Sequence, residues 1–537
     1  MIRFNVEIET AEDVRVFQGE ESFDGGLPEN GPYNIICDIP AGKLRSVKAV
    51  LDLTVPDNVK IFMNGYQTWT NCPEYGKYDR IRGLHGIPKP VIDKFHFDRY
   101  GDYHFVDYPN KRGVTHGFSW CYFRRGNRYR LIASLDEKPG YTMFTYDSTA
   151  GKLTIERDCA GVRFDGGEFH AFDLYFAEGS EEQVFDGWFR VMGIPAPKAP
   201  TLKGYSSWYN RYEDISEQSI EADLEGCKKL FSEGDLFQID DGWEPAVGDW
   251  LETDEKKFPN GLKPLADKIH ESGFIAGLWL APFVCREGSA LMKEHPDWLL
   301  QIDGKPWSCG SNWGGFYSLD IDNEEVTDYL RKVFDRVLNE WGFDLVKLDF
   351  LYGAAPFGTE KESRAGRMIR AMDFLREVCG DKLILGCGVP VMPAFGRVDY
   401  CRVSCDVSLD WDDKWYMRMF HRERVSTKQA IENTVFRRQL NGRAYISDPD
   451  VFFLRESNIA MTKARKLTLA KVNALLGGVL LTSDDPSSYN DEQLEIYNKL
   501  LKLAKAEYVK VIADRHCIKY IVEGKKKVLR LPEEWFR

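Results

Sequence analysis

Two patterns of hydrophobic positions divide the chain. Up to about residue 179, apolar residues come in short runs, such as 46–55, 128–135, 141–146, 152–157 and 169–176. They are rich in β-branched and aromatic side chains and are separated by Gly, Asp and Asn turns. Such runs predict many short strands and a large β-sandwich. A helical stretch over 181–191 follows. Then comes Pro195-Ala196-Pro197-Lys198-Ala199-Pro200, a stiff linker that predicts a boundary.

After the linker, strand-like runs alternate with helical ones. The strand candidates are 204–208, 236–240, 274–280, 345–350, 383–387, 400–404, 444–447 and 479–482, with amphipathic helical stretches such as 219–231, 264–271 and 324–340 between them. Eight such units predict a (β/α)₈ TIM barrel. An open doubly wound sheet is the other fold with this alternation, but no GxGxxG or Walker loop follows the first strand. The third connection is long and holds Trp298, Trp307 and Trp313, which predicts extra loops over one end of the barrel. Near the end, 491–506 reads as a helix, and 518–522 with 527–531, joined at Glu523-Gly524, as a β-hairpin. The expected fold class is therefore multidomain β and α/β. An N-terminal β-sandwich covers 1–195, a central barrel 201–486, and a short C-terminal helix and β element 487–537.

Composition narrows the chemistry. A net charge of −13 argues against nucleic acid or an anionic membrane as partner. Neither a signal-like N-terminus nor a membrane-length apolar run is found. The twelve cysteines show no CxxC pairing, and a cytoplasmic location with reduced thiols is expected. With nine His and no HExxH or His-x-His pattern, no metal and no cofactor are expected. The oligomeric state is left open.

Two aspartates end strand-like runs with a cation at an even offset before each: Lys347 before Asp349, and Arg402 before Asp406. Alternation along a strand puts each cation on the face of its carboxylate, so Lys347 is expected to hold Asp349 ionised. Two such carboxylates can divide nucleophile and acid/base work, although a buried ion pair is the ordinary use of either alone. Barrel enzymes work at the carboxyl ends of their strands. Those ends carry Trp208, Asp240 and Asp241, Trp279, Cys387, Asp448 and Asp450, and Asp484 and Asp485. Asp450 and Asp485 are assigned to helix N-capping and the rest to a pocket. Carboxylates beside Trp suit a neutral polyol: Asp240 and Asp241 accept from hydroxyls, while Trp208 and Trp279 cover the apolar faces of a pyranose.

At these residues the sequence resembles the α-galactosidases (melibiases) of glycoside hydrolase family 36. The matching segments run in order from Asn64-Gly65-Tyr66-Gln67-Thr68-Trp69 and Tyr205-Ser206-Ser207-Trp208-Tyr209 through Phe237-Gln238-Ile239-Asp240-Asp241-Gly242-Trp243 and Gly277-Leu278-Trp279. They continue to Val346-Lys347-Leu348-Asp349-Phe350, Leu385-Gly386-Cys387-Gly388, Arg402-Val403-Ser404-Cys405-Asp406 and Asp448-Pro449-Asp450. The resemblance implies an N-terminal β-supersandwich, a catalytic barrel and a C-terminal β domain, which is shorter in this chain than is usual. It also implies metal-free, retaining hydrolysis of terminal α-linked galactose. Asp349 then corresponds to the nucleophile and Asp406 to the acid/base. Asp240 and Asp241 would bind the 4- and 6-hydroxyls, and Trp69 would reach in from the N-terminal domain. Lys347, Arg402, Trp208, Trp279 and the Cys387-Gly388 turn would line the remaining wall, the turn near the 2-hydroxyl.

The segment after Asp406 departs from the usual pattern, which makes Asp410 its rival. The expected reaction is double displacement, with attack by Asp349 and protonation of the leaving oxygen by Asp406. Three alternatives stand beside it: an α-N-acetylgalactosaminidase, a raffinose-synthase-like galactosyl transferase, and a non-catalytic sugar-binding protein.

Overall fold

The computed structural model describes residues 1–23 and 27–532. Two antiparallel sheets occupy the N-terminal part. One runs Val14–Glu21, Ile2–Glu9, Gly42–Asp52, Lys152–Asp158, Tyr141–Asp147, Val114–Phe118; the other runs Gly31–Ile39, Gly167–Gly179, Arg128–Ser134, Trp120–Arg125, Lys60–Met63, Glu74–Tyr75. Alternation makes the core between them. Ile2, Val6 and Ile8 of the first strand point inward with Leu51, Phe144, Ile61 and Leu174 from both sheets. Each run expected as a strand here overlaps an observed strand, although 46–55 continues past Asp52 and 128–135 past Ser134.

The expected helix forms as Glu181–Met192. Ser180 and Gln183 make a capping box at its start, and Gly193 ends it in the left-handed conformation (φ 69°). Its buried face fastens the sandwich to the barrel. The Trp188 indole N–H donates to the Ser134 carbonyl at 2.9 Å, and its ring meets Trp120 at 5.5 Å and barrel residue Phe395 at 5.9 Å.

All eight expected barrel strands are present: Leu202–Ser206, Leu236–Ile239, Ile275–Leu280, Leu345–Leu348, Leu383–Gly386, Tyr400–Arg402, Ile446–Asp448 and Val479–Thr482. They are parallel and neighbour one another in sequence order, and the last also pairs with the first. The seventh and eighth strands meet where the Gly478 N–H donates to the Ser447 carbonyl at 2.9 Å. This nearly closed ring replaces the doubly wound alternative. Most strands stop one or two residues before the expected end. The polar residues Asp240 and Asp349 therefore stand on the turns beyond the ladder, where they face a cavity.

The long third connection carries the expected extra structure: a small antiparallel sheet of Val284–Arg286, Phe316–Ser318 and Ser308–Gly310, with Trp313 in the turn Asn312–Gly314. After the helix Asp491–Leu503, the expected hairpin is the outer part of a three-stranded sheet, Tyr508–Ile512, Cys517–Val522 and Lys525–Arg530. The first of these strands was not expected, because Tyr508 is exposed and its neighbours only half-buried, so the run lacks a buried face. Among the described residues no helix is long and apolar enough to cross a membrane.

Candidate active site

The turns at the carboxyl ends of the barrel strands open into a cavity of about 510 Å³. Of the expected residues, Trp69, Trp208, Asp240, Asp241, Trp279, Lys347, Asp349 and Asp406 line it; Cys387, Gly388, Arg402 and Asp410 do not. Among the described residues no three His, Cys, Asp or Glu side chains are grouped to hold a metal ion.

Asp349 follows the last residue of its strand. Its backbone N–H still bonds the Leu280 carbonyl at 2.9 Å, so the neighbouring strand fixes its position. The next residue, Phe350, is left-handed (φ 52°), an uncommon conformation for a bulky side chain and one that costs on the order of 1 kcal/mol. That turn aims the Phe350 N–H at Asp349 Oδ1 (2.9 Å), while Trp279 Nε1 donates to Oδ2 at 3.2 Å. The carboxylate is thus held by neutral donors and is 8% exposed.

The expected pairing of Lys347 with Asp349 is not what forms. Lys347 Nζ donates to Asp240 Oδ2 at 2.8 Å, across to the second strand. Burial works against its charge, but Asp240, and more weakly Asp349, keep the ammonium protonated well above the usual lysine range. Alternation put Lys347 on the correct face, but its long stem reaches a strand further on.

Asp240 also accepts from Gln238 Nε2 at 2.8 Å and, through Oδ1, from the Asp241 N–H at 3.0 Å. Asp241 differs from its neighbour. It accepts from Trp313 Nε1 at 2.9 Å, and burial followed by the nearby Glu244 carboxyl raises its pKa well above the ordinary carboxylate range. Burial raises Glu244 as well, so the two carboxyls favour keeping one proton between them. The expectation of two equivalent charged acceptors therefore gives way to one ion-paired carboxylate and one carboxyl pair.

Arg402, 3% exposed, serves three carboxylates: Asp406 at 2.6 Å, Asp450 at 3.0 Å and Asp448 at 3.3 Å. It is a strut behind the cavity, not part of its surface. Asp406 faces the cavity, with its side chain 36% exposed, yet it lies deep among other charges. Burial raises its pKa to about 6, with Arg402 pulling down and Asp450 and Asp349 pushing up. Asp410 is exposed and outside the cavity.

Asp450 caps no helix, contrary to expectation. Its carboxylate accepts from the Tyr209 hydroxyl (2.7 Å) and the Val407 N–H (2.8 Å) and pairs with Arg402. Asp485 does cap, accepting from the Ser487 N–H at 2.9 Å. Asp484, read as a pocket residue, is fully buried and binds the N–H groups of Leu454 and Arg455.

Trp69 enters from the N-terminal part on the loop after Lys60–Met63. Its Nε1 donates to Cys387 Sγ at 3.4 Å and its ring meets Phe350 at 5.1 Å. Gly388 is left-handed (φ 55°), and a Cβ there would lie 2.8 Å from Trp69 Cζ2. Cys387 and Gly388 therefore seat the indole rather than line the cavity. Arg437, 1% exposed, holds this loop to the barrel. It donates to the carbonyls of Thr68 (2.6 Å), Gln67 (3.0 Å) and Val403 (3.0 Å) and to Asn64 Oδ1 (3.1 Å).

Sequence reasoning missed several cavity residues. Trp313 was noticed only as part of a long loop. Tyr100 comes from the N-terminal part, and His421 and Glu423 from the stretch after Asp406. His421 is neutral, because burial lowers its pKa to about 3. Glu244 lay four residues beyond Asp240 with no pattern to single it out.

Residues 200–371 match the Melibiase family. Over 151 residues the chain is 34% identical to α-galactosidase Mel36A of Lactobacillus acidophilus, a stretch of 27% of this chain and 20% of that protein. Over 152 residues it is 35% identical to an α-galactosidase of Escherichia coli, covering 26% and 21%. The matched stretch thus spans about a fifth of the length of these relatives. Among solved structures, TtGalA, an α-galactosidase from Thermus thermophilus in complex with p-nitrophenyl α-D-galactopyranoside, superposes with a TM-score of 0.73. It has 27% identity, covering 93% of this chain and 98% of that one. The family 36 α-galactosidase AgaA of Geobacillus stearothermophilus shares the fold, with a TM-score of 0.62 and 14% identity over 97% and 79%. Fold and barrel sequence together define a melibiase-type barrel protein. Within it, residues 200–371 carry the Melibiase match, and the chain as a whole has the fold of TtGalA.

Proposed function

We propose that this protein is a retaining, exo-acting α-galactosidase that removes terminal α-linked galactose by double displacement. The observation that carries the reading is the pair of unlike carboxyls in one cavity. Asp349 is held by neutral donors for attack at the anomeric carbon, and Asp406 has its pKa raised to about 6, fit to give and take a proton. In the first step Asp349 forms a covalent glycosyl ester while Asp406 protonates the leaving oxygen. In the second, Asp406 deprotonates the water that releases the sugar.

Asp240 and the Asp241–Glu244 pair offer acceptors to the 4- and 6-hydroxyls, and Trp208, Trp279 and Trp313 cover the ring faces. The twelve free thiols fit a reducing, cytoplasmic setting. Turnover of aryl α-galactoside, α-glucoside and α-N-acetylgalactosaminide tests the reading, with α-galactoside preferred. Equal rates on all three, or none on any, reject it.

A further inference from the structure

A second cavity, of about 640 Å³, lies beside the first and shares His421 and Arg424 with it as lining. Although the chain as a whole is acidic at −13, this cavity is basic. Arg80, Arg82, Arg418, Arg422, Arg424, Lys428 and Arg465 line it, with the carboxylates of Asp412 and Glu432. Among the described residues only Arg424 of these seven is ion-paired, with Asp412 at 3.1 Å. Glu432 offsets little, because burial raises its pKa to about 7. Arg422 donates to the Tyr108 hydroxyl (3.0 Å) and the Asn71 carbonyl (3.1 Å), while its buried Nε has no hydrogen-bond partner. The Arg465 guanidinium lies over the Trp411 ring at 4.8 Å. Asp102 and Glu423 also act on the buried Arg422, but the other cations outnumber the carboxylates of the cavity, and an anion relieves their repulsion and offers the orphaned donor a partner.

Position says which anion. The segment from Asp406 to the helix Thr427–Phe436 supplies residues to both cavities. A general acid must touch the leaving oxygen, so the segment that follows it borders the departing group. We propose that the basic cavity binds an anionic group on the aglycone, making acidic α-galactosides, with a phosphate ester, sulfate ester or carboxylate on the leaving part, the preferred substrate class. This rests on the α-galactosidase reading above.

The test compares an α-galactosyl disaccharide phosphorylated on its reducing sugar with the same disaccharide unmodified. The phosphorylated one should have the higher kcat/KM, by about tenfold or more at low salt, with the advantage shrinking as salt rises. The double variant Arg82→Glu/Arg465→Glu, at positions outside the catalytic cavity, should lose that advantage and keep its rate on neutral aryl α-galactoside. No preference in the native protein, or a preference untouched in a folded double variant, overturns the proposal. So does stimulation of the neutral disaccharide by inorganic phosphate without preference for the ester, which would make the cavity an effector site. Calorimetric binding of glucose 6-phosphate is read independently of turnover. Binding lost in the double variant supports the cavity even if the aryl galactoside is not cleaved, and failure to cleave it counts against the α-galactosidase reading alone.

Discussion

Lys347 Nζ lies 2.8 Å from Asp240 Oδ2, on the second barrel strand, and leaves Asp349, two residues along its own chain, to Trp279 and the Phe350 N–H. The cation thus belongs to the Asp240 side of the cavity. Lys347→Met should destabilise the fold by about 3–5 kcal/mol, the usual cost of stripping one partner from a buried pair. The double variant Lys347→Met/Asp240→Asn should recover part of it. The folded pKa of Lys347 is raised, so its contribution is fully present below the ordinary lysine range and lost only as pH climbs through the raised value. Urea midpoints at about pH 5 and 8 should therefore show the same loss; a loss confined to one of them would contradict the pairing.

Asp406 predicts opposite trends for activity and stability. As general acid it must be protonated, so kcat/KM should fall as pH rises through about 6. Its folded pKa is raised above the ordinary aspartate value, so folding favours the protonated form. The penalty is absent below the ordinary value and fully present once pH exceeds about 6. Asp406→Asn should thus raise the thermal midpoint at pH about 8 and do so progressively less toward pH about 4. An unchanged midpoint at the higher pH would show that the carboxyl is not desolvated as described.

Chemical rescue separates the two carboxyls. Asp349→Ala should lose turnover on every substrate, and azide entering the vacated space should give galactosyl azide of inverted configuration. Asp406→Ala should still react with aryl galactosides of acidic phenols, accumulate the covalent intermediate, and give the retained azide product. Asp410→Ala should behave as the native protein, since Asp410 is exposed outside the cavity. Leaving-group dependence in the Asp410 variant would move the acid/base assignment.

Gly388→Ala tests the seat of Trp69. The left-handed backbone alone costs about 1 kcal/mol with a side chain present, and the added Cβ would meet the indole at 2.8 Å. A lowered thermal midpoint and a kcat/KM reduced by roughly tenfold are expected, since the displaced ring borders Phe350 and, through it, Asp349. Native activity in the folded variant would mean that the indole position does not matter for the chemistry.

Much of the fold was legible because it rests on local periodicity. The eight barrel runs are short, mostly apolar segments bounded by polar turns, and the sandwich strands alternate. What was illegible depends on reach and on distant partners. Spacing put Lys347 beside Asp349 because it sees only the strand face, whereas the four-carbon stem crosses to Asp240. The same limit made Asp450 look like a helix cap, when its partners Arg402 and Tyr209 come from elsewhere in the chain. Trp69 was found only through the family resemblance, since nothing in its own loop points to a barrel more than a hundred residues away. His421, Glu423 and the arginines around them sit in a stretch without periodicity, so no pattern announced a second, basic cavity.

Arg437 grips the Trp69 loop through the main-chain carbonyls of Thr68 and Gln67 and the side chains of Asn64 and Cys72, and reaches the barrel through the Val403 carbonyl. Two of the four partners on the loop are side chains, so the grip depends in part on which residues the loop carries. Residues 64–70 are also buried, so mutational drift there is held in check by the mooring and by the packing of Trp69. The join between the N-terminal part and the barrel is thus specific to this sequence, and the two parts must change together.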